Sequence, residues 1–483
     1  MNKVLFLCGS PRSKKSASMS TALYMSRFLD YDYEFVDVVK ARLSSDPTEA
    51  ESAFLKIVEK MKEADVVVWT FGAWIWFVPV QMQYLFDKLF TREGYDFTGK
   101  IAASIMTSVR VMDDYIFSRV RFVSEQLGFG YIGDISAEGN PFFGYVDEKE
   151  TEDSCRVLAG KINRALEDGY VPAKESAYLD RAYLSPLNRG KGFEVDGPKA
   201  EKDGDKTILV ITGNRISEDP AGASIVESIS RGSRNKVELI ELEDHKVGPC
   251  TGCYLCDFKV EGICVLKDEY EEIKRRMHEV DGIVYIGNCA SGMVDCHLKA
   301  FLDRSWGMTH RPSLKGKYGF AVATGGGTLG KNAAWYLGGI LDKTGTKCIA
   351  ALTEGNSNDP NFANTVRQTV EDLDRAVEEK WQIADRFTTR GTAWTFRDLG
   401  ARNGMVLRAD YDFHKKNKMF DYPSTGGSAA VMRFLFKSKK LEKKLIASRE
   451  KQITKKREER FKKITKTGTP GKGKNIIEIE TGK

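Results

Sequence analysis

Two rhythms of apolar and polar positions alternate along the chain. Short apolar runs at Val4–Cys8, Tyr33–Val38, Val66–Phe71, Ile101–Thr107 and Tyr131–Ser136 are separated by stretches with helical spacing. The same series then returns at 207–214, Val237–Leu242, Ile283–Gly287, Tyr318–Thr324 and Cys348–Thr353. Strand and helix in strict alternation predict α/β architecture, each series a five-stranded parallel sheet with helices on both faces. The expected boundaries are a first domain at 1–175, a linker at 176–205, a second domain at 206–390 and an extension at 391–483. The linker is rich in Gly, Lys and Asp and holds Pro186 and Pro198. An internal duplication of this kind implies an intramolecular pseudo-dimer, or a homo-oligomer of the same design.

Length agrees with this division, because 483 residues predict two to four folding units. Hydrophobic residues at 41% and charged residues at 29% are an ordinary globular balance. No uninterrupted apolar run reaches membrane-spanning length, and the N-terminal run is too short for a signal core, so a cytoplasmic protein is expected. The net charge of +6 hides an asymmetry: residues 391–483 carry 24 Lys/Arg against 10 Asp/Glu, leaving the body at −8. An acidic body excludes specific nucleic-acid binding by the whole protein. Residues 431–466 mix apolar positions such as Phe434, Leu441 and Phe461 with 15 Lys/Arg, predicting a basic amphipathic helix. Such a helix fits an anionic membrane surface, giving peripheral attachment, or an acidic partner; equally, it docks one apolar edge on its own domain.

The nine cysteines change the picture more than composition does. Cys250, Cys253, Cys256 and Cys264 fall within fifteen residues. A tight group in a large chain of this kind points to metal or redox chemistry rather than a disulfide framework. Two-residue gaps let thiolates converge on one inorganic centre, and Gly252 and Gly262 relieve the tight turns. The seven-residue gap from Cys256 to Cys264 makes the last ligand the least regular. Zinc, a dithiol pair and buried free cysteines remain alternative readings. No Ser/His/Asp set, metal-binding His pair or paired-carboxylate motif stands out, so no catalytic side chain is assigned.

In a wound parallel sheet, ligands lie beyond the carboxyl ends of the strands, which directs attention to the loops after strands one, three and four. In the first series, Gly9-Ser10-Pro11-Arg12 opens into a helix with Ser16 and Ser18, a set of hydroxyls, amides and positive charge suited to a phosphate. A serine-rich turn that only caps the helix has the same appearance. The third loop carries Trp74 and Trp76, either of which offers a stacking face. In the second series the first loop replaces this pattern with Glu218 and Asp219, acids that oppose a phosphate. Its third loop, Asn288-Cys289-Ala290-Ser291-Gly292-Met293, and fourth loop, Thr324-Gly325-Gly326-Gly327, supply glycines that admit a flat ring. Cys289, Cys296, His297 and His310 lie near these loops; each by itself is as readily a packed core residue.

The Gly-Ser-Pro-Arg loop and the segment from Thr70 to Lys88 resemble the flavodoxin-like NAD(P)H-dependent FMN reductases. The cysteine group followed by Leu298-Lys299-Ala300-Phe301-Leu302-Asp303-Arg304 is similar to the iron-sulfur flavoproteins of that superfamily. The likeness covers about 175 residues of the first series and about 185 of the second, with the motifs at these loops. It departs from the family at the first domain's fourth loop, Thr107–Met112, which lacks glycines beside the ring.

The resemblance implies two tandem flavodoxin-like domains. FMN would lie near Ser10, Arg12, Ser16, Ser18, Trp74 and Trp76 in the first, and near Asn288, Cys289, Ser291, Gly292, Met293, Thr324, Gly325, Gly326 and Gly327 in the second. A [4Fe-4S] cluster would sit on Cys250, Cys253, Cys256 and Cys264. In such proteins the cluster faces a flavin across a subunit contact, and a fused pair would reproduce this within one chain. The implied function is a flavin-dependent oxidoreductase taking electrons from NAD(P)H or a ferredoxin-type donor and serving a small-molecule or protein redox partner. The alternative is a non-catalytic electron carrier or scaffold tethered by its basic tail.

Overall fold

A computed structural model describes residues 3–41, 47–90, 92, 94–109, 111–140, 144–145, 148–176, 191–195, 197–259, 262–289, 292–354, 361–402, 404 and 407–420, with a few positions between 440 and 448. The amphipathic tail expected over 431–466 therefore lies almost wholly outside the described residues, as do Ser291 and half of the linker. The chain forms two compact units. One is Met1–Leu179 with Thr251–Cys253 and Ala430–Lys483; the other is Asp180–Cys250 with Tyr254–Ala429.

In the first unit the order is β1 (Lys3–Cys8), α1 (Ala17–Met25), β2 (Asp32–Asp37), α2 (Pro47–Glu63), β3 (Val66–Gly72), α3 (Val80–Phe90), β4 (Ile101–Ser108), α4 (Asp113–Gln126), β5 (Gly130–Asn140), β6 (Gly144–Tyr145) and α5 (Glu148–Glu167). The sheet order is 2-1-3-4-5-6, parallel throughout β1–β5. The sixth strand is an addition to the five expected: two residues pair antiparallel with the far end of β5, Gly139 with Tyr145 and Asn140 with Gly144. Alternate residues of each strand serve opposite faces. Val4, Phe6, Val66, Val68, Ile101 and Ala103 pack with Met19, Ala22, Leu158 and Ile162 of α1 and α5. Trp69 faces the other way, edge-on to Phe86 of α3 and donating to Ser124 Oγ of α4 at 2.9 Å.

The second unit repeats the plan with β7 (Thr207–Thr212), α6 (Pro220–Gly232), β8 (Lys236–Glu241), α7 (Leu255–Phe258), α8 (Tyr270–Glu279), β9 (Gly282–Asn288), α9 (Cys296–Arg304), α10 (Trp306–His310), β10 (Tyr318–Thr324), α11 (Gly330–Thr344), β11 (Lys347–Thr353) and α12 (Asn361–Glu379). Its five parallel strands run in the order 11-10-9-7-8, the same winding as the first sheet. Ile208, Val210, Val284, Ile286 and Phe320 pack with α6 and α12 through Ile225, Ile229, Val370 and Leu373. Leu298 and Leu337, from α9 and α11, close on Gly287, where an added Cβ would meet them at 3.1 and 3.2 Å.

Two further helices, α13 (Phe387–Arg402) and α14 (Arg408–Lys416), form where the sequence shows no clear periodicity. Their contact residues are mixed rather than an apolar stripe: Phe396 stacks on the His310 ring at 4.0 Å, and Asp410 and His414 are buried. A hydrophobic pattern does not register a helix held this way.

Candidate functional site

The winding places the switch of strand order between β1 and β3 in the first unit and between β7 and β9 in the second. At the first switch, the backbone after β1 folds into a short turn: Ser13 N donates to Ser10 O at 2.8 Å, Lys15 N to Arg12 O at 3.0 Å and Ser16 N to Ser13 O at 3.0 Å. Ser16 caps α1, its hydroxyl accepting from Met19 N at 3.1 Å, and Ser18 Oγ donates to Ser16 Oγ at 3.3 Å. Ser10, Ser16 and Ser18 are buried and Arg12 half-buried. Asp37, at the end of β2, accepts from the Ser13 hydroxyl and from Val39 N, and burial raises its pKa. The donor set is hydroxyls, helix amides and one guanidinium, which fits a phosphate.

After β3 the chain makes a tight reversal. Trp74 N donates to Phe77 O at 2.8 Å and Phe77 N returns to Trp74 O at 3.3 Å, with Ile75 and Trp76 between them at φ 45° and 60°. Left-handed backbone at two successive side-chain-bearing residues is costly, and such strain gathers at ligand loops. Both indoles are largely buried, at 4% and 8% exposure.

Carboxylates take the donors at the second switch. Asp219 caps α6, accepting from Gly222 N at 3.0 Å, and its other oxygen accepts from Thr324 Oγ1 at 2.6 Å. Glu241 accepts from Ile216 N at 2.7 Å, Glu243 from Arg215 N at 3.1 Å, and Glu354 from Gly325 N at 3.0 Å. Asp295 crowds Gly213 so closely that an added Cβ would lie 1.8 Å from its Oδ1. Of the two acids noted in the first loop, Asp219 thus belongs to a larger group of carboxylates that accept from the donors here. The ring loops remain open in backbone terms: Gly292, Gly325, Gly326 and Gly327 all have positive φ, and Cys289 Sγ packs on Gly326. Asn288, Cys289, Met293 and Thr324 are buried, and Asn288 Nδ2 has no hydrogen-bond partner among the described residues.

The cysteine segment is shaped by Gly252 and Gly262 at φ 64° and 61° and by Tyr254 at φ 57°. All four thiols are partly buried. Cations gather at the segment. Arg304 Nη2 donates to Cys264 Sγ at 3.3 Å, while its Nη1 holds Asp268 and reaches Gly248 O at 3.3 Å. Asp268 in turn accepts from Gly248 N at 3.0 Å, so both ends of the segment are fastened to one ion pair. Burial works against the Arg304 charge, but Asp268 and Cys264 outweigh it and its pKa is raised. Arg311 Nη2 donates to Cys256 O at 3.2 Å, and Cys256 is among the groups favouring its charge. Lys299, fully buried and paired with Asp303, has its pKa lowered by burial against the pull of Asp303, Cys296 and Cys250. Positive charge thus lies near Cys250, Cys256 and Cys264. This donor set fits an iron-sulfur centre.

Lys299 and Arg304 stood in the sequence without a role; the signal was the charged pair Lys299 and Asp303 at i and i+4, followed by Arg304, on a helix otherwise buried. Arg311, Asp257 and Asp410 gave no such signal, because Asp410 lies about a hundred positions from its partners. His310, open in the sequence to a flavin or substrate role, is buried beside Asp410 and Asp257, its Nδ1 3.0 and 3.7 Å from their carboxylates. His297 Nδ1 lies 3.2 Å from Asn214 Oδ1.

Comparison with known proteins agrees with the geometry. The profile of NADPH-dependent FMN reductases matches residues 2–112 and 207–345, together more than half of the chain and one stretch in each domain. An iron-sulfur flavoprotein of Archaeoglobus fulgidus is 28% identical over 188 residues, 38% of this chain and 84% of the relative. Another, from Methanocaldococcus jannaschii, is 38% identical over 120 residues, 24% of this chain and 61% of the relative. Among solved structures, a flavone reductase aligns at 14% identity and a TM-score of 0.30 over 37% of this chain and 66% of its own. The chain belongs to the NADPH-dependent FMN reductase family and is a flavin-dependent oxidoreductase built as two tandem flavodoxin-like domains.

Proposed function

We propose that this oxidoreductase works with FMN and a [4Fe-4S] cluster held by Cys250, Cys253, Cys256 and Cys264, and moves electrons from NAD(P)H or a ferredoxin-type donor to a small-molecule or protein acceptor. The observation that carries the reading is the gathering of cations at the cysteine segment, with Arg304 on the Cys264 thiol, Arg311 on the Cys256 carbonyl and buried Lys299 on the helix that follows. A cluster on four thiolates brings negative charge into a partly buried place, and these cations offset it. FMN exchanges electrons in pairs or singly and a cluster singly, so the two link two-electron and one-electron partners.

The first domain is assigned the FMN phosphate: Ser10, Ser16 and Ser18 supply hydroxyls at the start of α1, and Arg12 adds charge. Trp74 and Trp76 bound the ring side. In the second domain Asn288, Cys289, Gly292, Met293, Thr324 and Gly325–Gly327 are the set that would meet the ring of a second FMN. Ser291, part of the same expected set, lies outside the described residues. The carboxylates at that switch oppose a second phosphate, which favours one FMN per chain.

Anaerobic purification followed by FMN, iron and acid-labile sulfide analysis tests this, with visible spectra before and after dithionite. The expected result is about four iron, four sulfide and one FMN per chain. FMN without iron or sulfide after anaerobic reconstitution overturns the cluster. Holoprotein that oxidises NAD(P)H only when a partner reductase is added would move the reading to an electron carrier.

A further inference from the structure

The helices after α12 reach back to the cysteine segment through a buried ionic knot. Asp257, the residue after Cys256, and Asp410 of α14 are both fully buried. Two carboxylates so placed need cations and donors. Arg311 Nη1 bonds both, lying 3.2 Å from Asp257 Oδ1 and closer to Asp410 Oδ1. Trp306 Nε1 donates to Asp257 Oδ2 at 2.7 Å, and His310 Nδ1 lies 3.0 Å from Asp410 Oδ2. Asp257, His310 and Asp410 are close enough to bind one metal ion, but the Arg311 guanidinium already bridges both carboxylates.

The remaining arm of the guanidinium points at the cysteine segment. Nη2 donates to Cys256 O at 3.2 Å, and added Cβ atoms at Gly262 and Gly307 would meet the same nitrogen at 3.2 and 2.1 Å. Glycine at both places leaves room for the Arg311 guanidinium beside Cys256 O, between Gly262 and Gly307 of α10. Asp410 holds it there, and is itself kept ionised: burial opposes its charge, but Arg311 and His310 outweigh that and lower its pKa.

We propose that Asp410 is a positioning residue for the cysteine segment: by fixing Arg311 it sets the turn carrying Cys256, so α14 is a working part of the metal-binding site. This rests on the cluster reading only for its consequence at the metal. The turn itself is present in the chain without any ligand. Removing the Asp410 carboxylate frees Arg311 to leave the Cys256 carbonyl, and it removes one negative charge near the ligands.

The test uses full-length Asp410→Ala and Asp410→Asn. In reduced, metal-free protein, alkylation is followed at each cysteine by peptide mass spectrometry. Loss of a charge-assisted hydrogen bond to the tether predicts labelling of Cys256 about fivefold faster in Asp410→Ala. Cys348, buried in β11, stays at its wild-type rate and reports that the domain is folded. In anaerobically reconstituted protein, Asp410→Asn shifts the cluster reduction potential upward. Wild-type labelling at Cys256 in folded Asp410→Ala overturns the proposal. Should Cys348 label as well, Arg311→Lys decides: it keeps the charge but not the fork, and selective labelling of Cys256 supports the tether while its absence refutes it. Wild-type protein without iron or sulfide, together with selective labelling in Asp410→Ala, supports the tether and refutes only the cluster.

Discussion

Arg304 and Cys264 are joined across forty residues of sequence, the guanidinium donating to the thiol sulfur at 3.3 Å while Tyr270 lies under it, 4.4 Å from ring centroid to Cζ. That makes Arg304 both a fastening for the fourth cysteine and a fixed positive charge at the proposed centre. Arg304→Gln keeps much of the volume and removes the charge. The expected outcome is a lower reduction potential for the reconstituted centre and less iron per chain, read by potentiometric titration and iron analysis. An unchanged potential at full iron content would refute this role.

The two strand-switch sites make opposite predictions for FMN. On the proposed assignment, Arg12→Ala and Ser16→Ala are expected to weaken FMN binding roughly tenfold each, since each removes a hydrogen-bonding or charged group assigned to the phosphate. Ser16→Ala also loses its cap on α1, a cost of about 1 kcal/mol. Asp219→Ala loses the corresponding cap on α6 but leaves FMN content unchanged. Fluorescence titration of the apoprotein and denaturant melts separate the effects.

Lys343 is buried on α11, its ammonium 4.7 Å from the Phe396 ring and without a hydrogen-bond partner among the described residues. Burial lowers its pKa to about 7 from the ordinary 10.5. The unfolded chain therefore holds this proton more tightly than the folded one. The resulting penalty is absent above pH 10.5, grows as pH falls towards 7, and is complete below that. Lys343→Met is expected to stabilise the protein by roughly 2–4 kcal/mol at neutral pH, a gain that fades as pH approaches 10.5. Urea melts at pH 7 and 10 check the sign.

Gly326 sits at φ 68° with Cys289 Sγ 2.7 Å and Cys289 O 2.9 Å from where a Cβ would be. Gly326→Ala is expected to cost about 2 kcal/mol from backbone strain and the clash together. Cys289→Ala in the same background relieves the sulfur contact but not the φ, so a double-mutant cycle should recover part of the loss. Thermal melts of the four proteins give the cycle.

The sheet plan was readable because parallel strands are continuous apolar runs between helices. Tyr318–Thr324 is bounded in the structure where the sequence bounds it. Strand β5 runs on to Asn140, beyond the expected end at Ser136, since its edge gains a partner in Gly144–Tyr145 that no local pattern announces. The Gly9–Arg12 loop and the cysteine group were nameable as candidates, as each is a motif of neighbours in sequence.

Sequence alone determined the duplicated wound sheets, the charge asymmetry between body and tail, and the residue types at the candidate sites, because each is a local pattern of side chains. Tertiary structure decided that Arg304 meets the Cys264 thiol, that carboxylates accept from the loop amides at the second strand switch, and that helix α14 is tied through Arg311 to the Cys256 turn. Those outcomes depend on groups such as Arg311 and Asp410, 99 residues apart, whose attraction becomes strong only when folding removes both from water.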